Sequence, residues 1–230
     1  MKKDAAAHIA EVTHQSYELM AKEFSASRAR FWDELAFLAE HVAHDDHVLD
    51  IGCGNGRFAP LVTERHAHYD GLDYSAGLIS EARTKYPELA FTVGDATALP
   101  FANNSFDIAY SFAVIHHIPS SNARQQFIAE AARVLHHGGK FIFTAWDLWS
   151  PQYFLRLLKS AVGALVGTND LDVGDVMLTF GKEKWPRYVH ACTARELTAL
   201  LSENGFSIIA SERISRASGQ SNIVIIAQKT

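Results

Sequence analysis

Short apolar runs alternate with amphipathic stretches over most of the chain, and the two periods predict where strands and helices fall. Between residues 8 and 40 apolar positions recur at helical spacing. The first set is Ile9, Val12, Tyr17, Leu19, Met20 and Phe24; the second is Phe31, Trp32, Leu35, Phe37 and Leu38. The serines of Glu23-Phe24-Ser25-Ala26-Ser27-Arg28 suit a break and a new N-cap, so two helices are expected there. The period then changes. His47–Ile51 reads as a strand, 57–66 as a helix with Phe58, Leu61 and Val62 inward, and Tyr69–Asp73 as a strand. A helix capped by Ser75 over 75–85 and a strand over Phe91–Asp95 follow. Phe106–Phe112, a helix over 121–136 and Lys140–Trp146 continue the rhythm, and Gly138-Gly139 is expected to end that helix in the left-handed conformation. This alternation predicts a parallel, doubly wound α/β sheet.

After Trp146 the rhythm breaks. A helix is expected near 151–166, and 167–181 shows little periodicity. Long segments of this kind inside a compact domain are usually functional or mobile, and 147–190 reads as an insertion that helps build a site. A helix over 193–204 starts at Thr193, three residues before Glu196. Strands near 206–213 and 222–228 flank the polar turn Ala217-Ser218-Gly219-Gln220 and predict a terminal antiparallel hairpin. Neither repeat nor linker divides the chain. One domain over 1–230 is expected, with 1–40 as a helical lid that brings Tyr17 and Arg28 over a pocket.

The 230 residues suffice for one sizeable core. The formal charge of −5 excludes a global basic field, so a nucleic-acid partner would need a local patch. Lys182, Lys184, Arg187 and Arg195 could form one, as could Arg28 and Arg30. Cys53 and Cys192 lie far apart and match no metal-ligand spacing, so no metal site is expected and a reduced compartment is the simplest reading. Cys53 reads as a small loop residue. Met1 to His8 has no apolar core, and Phe154 to Val166 is interrupted by Arg156 and Lys159. That run is too short for a bilayer of ~30 Å, so a cytoplasmic protein without a membrane partner is expected.

The chemistry concentrates in Val48-Leu49-Asp50-Ile51-Gly52-Cys53-Gly54-Asn55-Gly56-Arg57-Phe58. A strand turns through three alternate glycines into a helix, which lets a ligand lie against bare backbone and helix N–H groups. Arg57 stands where the dinucleotide fingerprint would place its third glycine. With Asp50 ahead of it, the loop resembles motif I of the class I S-adenosylmethionine-dependent methyltransferases. The resemblance implies S-adenosyl-L-methionine as cofactor and a Rossmann-like, mostly parallel seven-stranded sheet. Ligands of such sheets bind beyond the carboxyl ends of the strands, where Asp50, Asp73 and Asp95 all map. Asp73 suits the ribose hydroxyls. Asp95 with Ala96 suits the adenine, and Gly52 and Gly54 suit the methionine part. Asp50 is expected at the ammonium, directly or through water. Asn55, Gly56, Tyr74 and Phe112 complete the expected cofactor site. An acid at a strand end is often only a helix cap, and Trp146 and Phe112 are residues more often found in a core than at a contact.

Four stretches are more specific. They are Tyr17-Glu18 with Phe24-Ser25 and Arg28 ahead of Trp32; Val48 to Arg57 with Asn55; Ala113-Val114-Ile115-His116-His117; and Trp185-Pro186-Arg187-Tyr188-Val189-His190 before a Glu-Leu helix. Together, over residues 14–205, they look like the tRNA wobble-uridine carboxymethyl methyltransferases, which esterify 5-carboxymethyluridine at anticodon position 34. That resemblance implies an acceptor pocket lined by His116, Arg28, Arg187, Tyr188 and His190. It also implies a tRNA anticodon loop as partner and, as in eukaryotic members, a small activating protein subunit. A carboxylate acceptor suits what is absent. It is already ionised near neutral pH, so orientation and approach suffice without a strong general base. No Pro-Cys dipeptide and no Asn-Pro-Pro-Tyr-like tetrapeptide points to attack on a pyrimidine ring or an exocyclic amine. Two other readings stay open. The acidic charge and the apolar 147–166 stretch would suit a small-molecule O- or N-methyltransferase. A cofactor-binding subunit without catalysis is the third, and the intact glycines and acids argue against it.

Overall fold

The computed structural model describes residues 1–215 and 219–230. Its strands are β1 (His47–Ile51), β2 (His68–Asp73), β3 (Ala90–Val93), β4 (Phe106–Phe112), β5 (Leu135–Asp147), β6 (Asp175–Phe180), β7 (Trp185–His190), β8 (Phe206–Ser215) and β9 (Ser221–Lys229). Its helices are α1 (Lys3–Ser27), α2 (Ala59–Thr63), α3 (Ala76–Lys85), α4 (Ser121–Val134), α5 (Pro151–Leu165) and α6 (Ala194–Glu203). Seven strands form one sheet in the order β3-β2-β1-β4-β5-β9-β8. The β1–β2, β1–β4, β2–β3 and β4–β5 pairs are parallel, while β9 runs antiparallel between β5 and β8. Strand order therefore reverses between β1 and β4, which opens a crevice at their carboxyl ends.

Helices cover both faces, so the central strands are continuous apolar runs rather than alternating ones. Leu49, Ile51, Phe141 and Phe143 pack with α4 and α6 through Phe127, Ile128, Leu197 and Leu201. Val48, Ile108, Tyr110 and Ile142 pack on the other face with Phe58, Val62, Ile79, Leu35 and Leu38. Ser75 caps α3 and Thr193 caps α6, each accepting from the N–H three residues on.

Four local expectations are corrected. The N-terminal region holds one α-helix of 25 residues, and the second apolar set, Asp33–His41, winds as a 3-10 helix. The helix expected over 57–66 shrinks to Ala59–Thr63, since the glycine turn persists to Phe58 and Pro60 opens the helix. Gly138-Gly139 does not end α4, which stops at Val134 as Leu135 turns extended. The glycines instead lie in a β5 irregularity, where the register against β4 jumps between Phe106/Leu135 and Ile108/Lys140. The aperiodic stretch beyond 167 contains an antiparallel ribbon, β6–β7, in register from Asp175/His190 to Phe180/Trp185. Arg187, Tyr188, Val189 and His190 are all buried, so β7 lacks the polar alternation that marks a strand. The ribbon packs with Trp146, Leu148 and Leu157 in a small third cluster. The turn expected over 217–220 falls partly outside the described residues. No described helix is long and apolar enough to cross a membrane.

Candidate active site

The loop after β1 folds back on β2. The N–H groups of Gly52 and Cys53 both donate to Leu72 O, at 2.7 and 3.0 Å. Gly52 has φ +77°, and a Cβ there would fall 2.2 Å from Val114 Cγ2. At Gly54, φ +57°, a Cβ would meet only the Phe24 ring at 3.8 Å, so the backbone lies bare. Asp73 closes β2 and holds this loop: its Oδ2 accepts from Gly54 N–H and its Oδ1 from Ser75 N–H, both at 2.9 Å. A carboxylate offers about four lone-pair sites, so the cap and ligand roles coexist. Burial raises the Asp73 carboxyl above the usual range against those two hydrogen bonds. Asp95 Oδ1 accepts from the N–H and the hydroxyl of Thr97, both 2.8 Å.

Asp50 is 2% exposed. Tyr69 donates to its Oδ2 at 2.8 Å, and its buried Oδ1 has no partner among the described residues. Burial pushes the carboxyl up to about 7; Tyr69 and Arg57 pull it down and Asp73 adds to the rise. An unsatisfied buried acid beside bare backbone is the environment a ligand ammonium would complete.

These groups open on a cavity of about 1200 Å³. Asp50, Gly52, Gly54, Asn55, Asp73, Tyr74, Asp95, Ala96 and Phe112 all line it. Gly56 is placed differently from expectation. It is buried with Phe91 and Tyr86 where its Cβ would be, 2.9 and 3.2 Å away, so it serves packing.

The far wall comes from α1, the segment after β4, and the β6–β7 ribbon. The Asn55 amide donates to Arg28 O and Ser25 Oγ, at 3.1 and 3.2 Å, which ties the end of α1 to the glycine loop. Glu18 accepts from Gly77 N–H at the start of α3, at 3.1 Å. Arg28 Cζ lies 4.2 Å from the Phe24 ring centroid and 4.6 Å from that of Phe180. Arg187 Cζ lies 4.5 Å from Trp146 and 5.1 Å from the same Phe180. Arg187 is 7% exposed, and neither guanidinium makes an ion pair among the described residues. Burial, and then the neighbouring Arg187, lower the Arg28 pKa against an opposing effect of Tyr17. His117 Nδ1–H donates to Tyr188 O at 2.8 Å, which leaves Nε2 to accept from Tyr17 OH at 3.1 Å. Burial and then Arg187 push His117 down to about 3, so its ring is neutral.

Of the five residues expected at the acceptor, Arg28 and Arg187 line the cavity, and the other three stand behind its wall. His116 is fully buried; its Nδ1 accepts from Trp146 N–H at 3.2 Å and its ring stacks on that indole. The next residue, His117, lines the cavity instead, its ring tilted at 57° to that of His116 with the centroids 4.3 Å apart on the 3-10 turn Ile115–His117. Tyr188 and His190 turn inward to Asp175. Phe180 and Trp146 join the wall with no sequence signal of their own. The side-chain polar atoms of His190, Cys192 and Glu196 lie within 4.8 Å of one another. Arg124 Nε stands 3.5 Å from Glu196, so a guanidinium already supplies cationic charge there.

A bare-backbone glycine turn at a topological switch point, with acids at the ends of β1, β2 and β3, defines a class I methyltransferase fold. A family model described as a methyltransferase domain matches residues 49–143. An Encephalitozoon cuniculi protein named "Putative methyltransferase ECU09_1500" is 32% identical over 200 residues, 85% of this chain and 87% of its own. A Schizosaccharomyces pombe protein named tRNA (carboxymethyluridine(34)-5-O)-methyltransferase is 33% identical over 138 residues, 60% of this chain and 58% of its own length. A Methanosarcina mazei S-adenosylmethionine-dependent methyltransferase structure superposes with a TM-score of 0.73 at 24% identity, over 87% of this chain and 98% of its own. The chain belongs to the S-adenosylmethionine-dependent methyltransferases, and S-adenosylmethionine is its cofactor.

Proposed function

We propose that this methyltransferase esterifies the carboxylate of 5-carboxymethyluridine at the wobble position of tRNA. The observation that carries this reading is the Arg28–Arg187 pair. Two guanidiniums share the Phe180 ring at the cavity wall, and neither has an acid partner among the described residues. Adjacent desolvated cations are costly until an anion joins them, and a carboxylate fits a guanidinium fork bidentately. The name of the fission-yeast relative agrees with that acceptor.

Bound S-adenosylmethionine supplies a methyl on a sulfonium. The chain's part is to hold and orient. Asp73 and Asp95 take the adenosine end, Asp50 the ammonium, and Arg28 and Arg187 the acceptor carboxylate. His117, neutral and turned to Tyr17, cannot protonate that carboxylate. The α1 helix acts as the lid. The small-molecule alternative expected the 147–166 stretch to close over an apolar acceptor. Instead, α5 turns Phe154, Leu155 and Leu158 to solvent, and of that stretch Tyr153 reaches the cavity. The family resemblance also brings a small activating subunit into this proposal.

Nucleoside mass spectrometry tests it. Purified protein, with and without the activating subunit, is incubated with cofactor and tRNA from cells unable to form the ester. Formation of the wobble methyl ester is expected. Turnover on small carboxylic acids with none on that tRNA overturns the proposal.

A further inference from the structure

The β6–β7 ribbon carries Phe180 and Arg187 to the cavity, yet it stands outside the seven-stranded sheet. A two-stranded ribbon is marginal by itself. Its open end is tied to the domain by a buried polar cluster. Asp175, 1% exposed, begins β6, and His190, 7% exposed, ends β7 opposite it. Asp175 Oδ1 lies 2.6 Å from Tyr188 OH and 2.6 Å from His190 Nδ1, and its Oδ2 accepts from Asp172 N–H at 2.9 Å. His190 Nε2 lies 3.1 Å from both oxygens of Glu196 on α6. Arg124 on α4 donates to Ile118 O and Tyr188 OH and stands 3.5 Å from Glu196. The Cys192 thiol beside them is buried, and that burial holds its pKa far above the usual value.

Proton counting decides the state of His190. Each ring nitrogen faces a carboxylate, and a neutral imidazole has one N–H to give. The neutral form would set a nitrogen lone pair against a carboxylate in a buried site. Charge balance agrees: with Asp175 and Glu196 negative and Arg124 positive, a cationic His190 brings the cluster to zero.

We propose that His190, as an imidazolium clamped between Asp175 and Glu196, is a positioning residue that holds the β6–β7 ribbon and thereby Arg187, and that its deprotonation as pH rises releases them. Burial opposes the charged ring, but the hydrogen bonds to Asp175 and Glu196 outweigh it, so the pKa is raised above 6.5. A raised histidine pKa stabilises fully below the unfolded value of about 6.5, and the stabilisation is lost as pH climbs through the folded value. His117 follows the ribbon as well, through its bond to Tyr188 O. The ribbon's release is independent of the acceptor; the consequence at Arg187 rests on the anionic-acceptor reading.

The test uses the full chain with S-adenosylhomocysteine between pH 6 and 9. NMR of the histidine rings gives the His190 titration, and hydrogen exchange, corrected for intrinsic rates, gives ribbon opening. His190 is expected to titrate above 6.5. Opening of 175–190 should then rise by up to about tenfold per pH unit between 6.5 and the folded titration point and level off above it, while β1–β5 stay protected. In Glu196→Gln the amide N–H can donate to a neutral ring, so the ribbon should stay closed and its pH dependence vanish. The acceptor KM should rise with opening in the wild type and stay flat in Glu196→Gln. A ring titrating at or below 6.5, or the same pH dependence in both proteins, overturns the clamp. A flat KM while the ribbon opens overturns the link to Arg187. Absence of ester formation counts against the acceptor assignment and leaves the exchange result to judge the clamp.

Discussion

The two walls of the cavity are built in different ways. On the proposed cofactor side every group falls between residues 50 and 112, and the working parts are largely backbone: a bare loop at Gly54, two N–H groups held by Asp73, and an Asx turn at Asp95. On the proposed acceptor side the groups are side chains gathered from Tyr17 to Arg187, each held by a contact distant in sequence. A cofactor shared across a fold can be met by local backbone geometry, whereas an acceptor peculiar to one enzyme needs side chains added from outside the sheet. The walls should therefore fail separately. Arg187→Ala should do the greatest damage, lowering kcat/KM for the carboxylate acceptor by about 100-fold or more, as for a buried charge losing its partner. Cofactor affinity measured by calorimetry should not move. Arg187→Lys should recover little, since an ammonium lacks the planar fork. Equal loss of cofactor binding would mean the walls are one unit.

Asp73→Ala tests the other wall. Removing a buried acceptor costs about 1–3 kcal/mol, so S-adenosylhomocysteine should bind up to roughly a hundredfold more weakly. The same substitution strands the Gly54 and Ser75 N–H groups, so thermal stability should fall too. Stability lost with affinity unchanged would reduce Asp73 to a cap.

Asp50 sharpens the contrast through pH. Its carboxyl is raised to about 7 in the folded chain. Protonation then favours folding, so the ligand-free protein should lose stability as pH rises from about 4 to 7 and level off above. Cofactor affinity should move oppositely, rising with ionisation as the acid becomes able to meet an ammonium. Asp50→Asn should flatten both curves in thermal-shift and calorimetric titrations. A wild-type stability curve that does not fall over that range would place the Asp50 pKa near the ordinary value and remove this argument for its ligand role.

This division also explains what could be read from residues alone. β1 and β4 are expected over His47–Ile51 and Phe106–Phe112 and fold there, because apolar runs between glycines and acids state a buried parallel strand locally. Asp50, Asp73 and Asp95 stand at one sheet edge by topology, so their convergence is legible before any contact is known. The acceptor wall is not local. His116 and His117 are chemically alike, and only the 3-10 turn decides which faces the cavity. Tyr188 and His190 carry the residue types of a binding site, yet Asp175, on a ribbon hidden by its own burial, turns them inward. Gly138-Gly139 has the chemistry of a helix end and is used for a strand irregularity.

The smallest effect is the most diagnostic of how α1 takes part. Tyr17 donates to His117 Nε2 and packs edge-on against both that ring and Phe24. Tyr17→Phe keeps the packing and deletes one hydrogen bond, worth about 1 kcal/mol. A loss of roughly fivefold in acceptor kcat/KM is expected, with cofactor affinity close to wild type and folding stability lower by about 1 kcal/mol. The neutral His117 would then have a bare Nε2 toward the cavity, free to accept from water or from an acceptor hydroxyl. If the substitution weakens the cofactor instead, α1 belongs to the cofactor wall, and the boundary between the two walls lies beyond it.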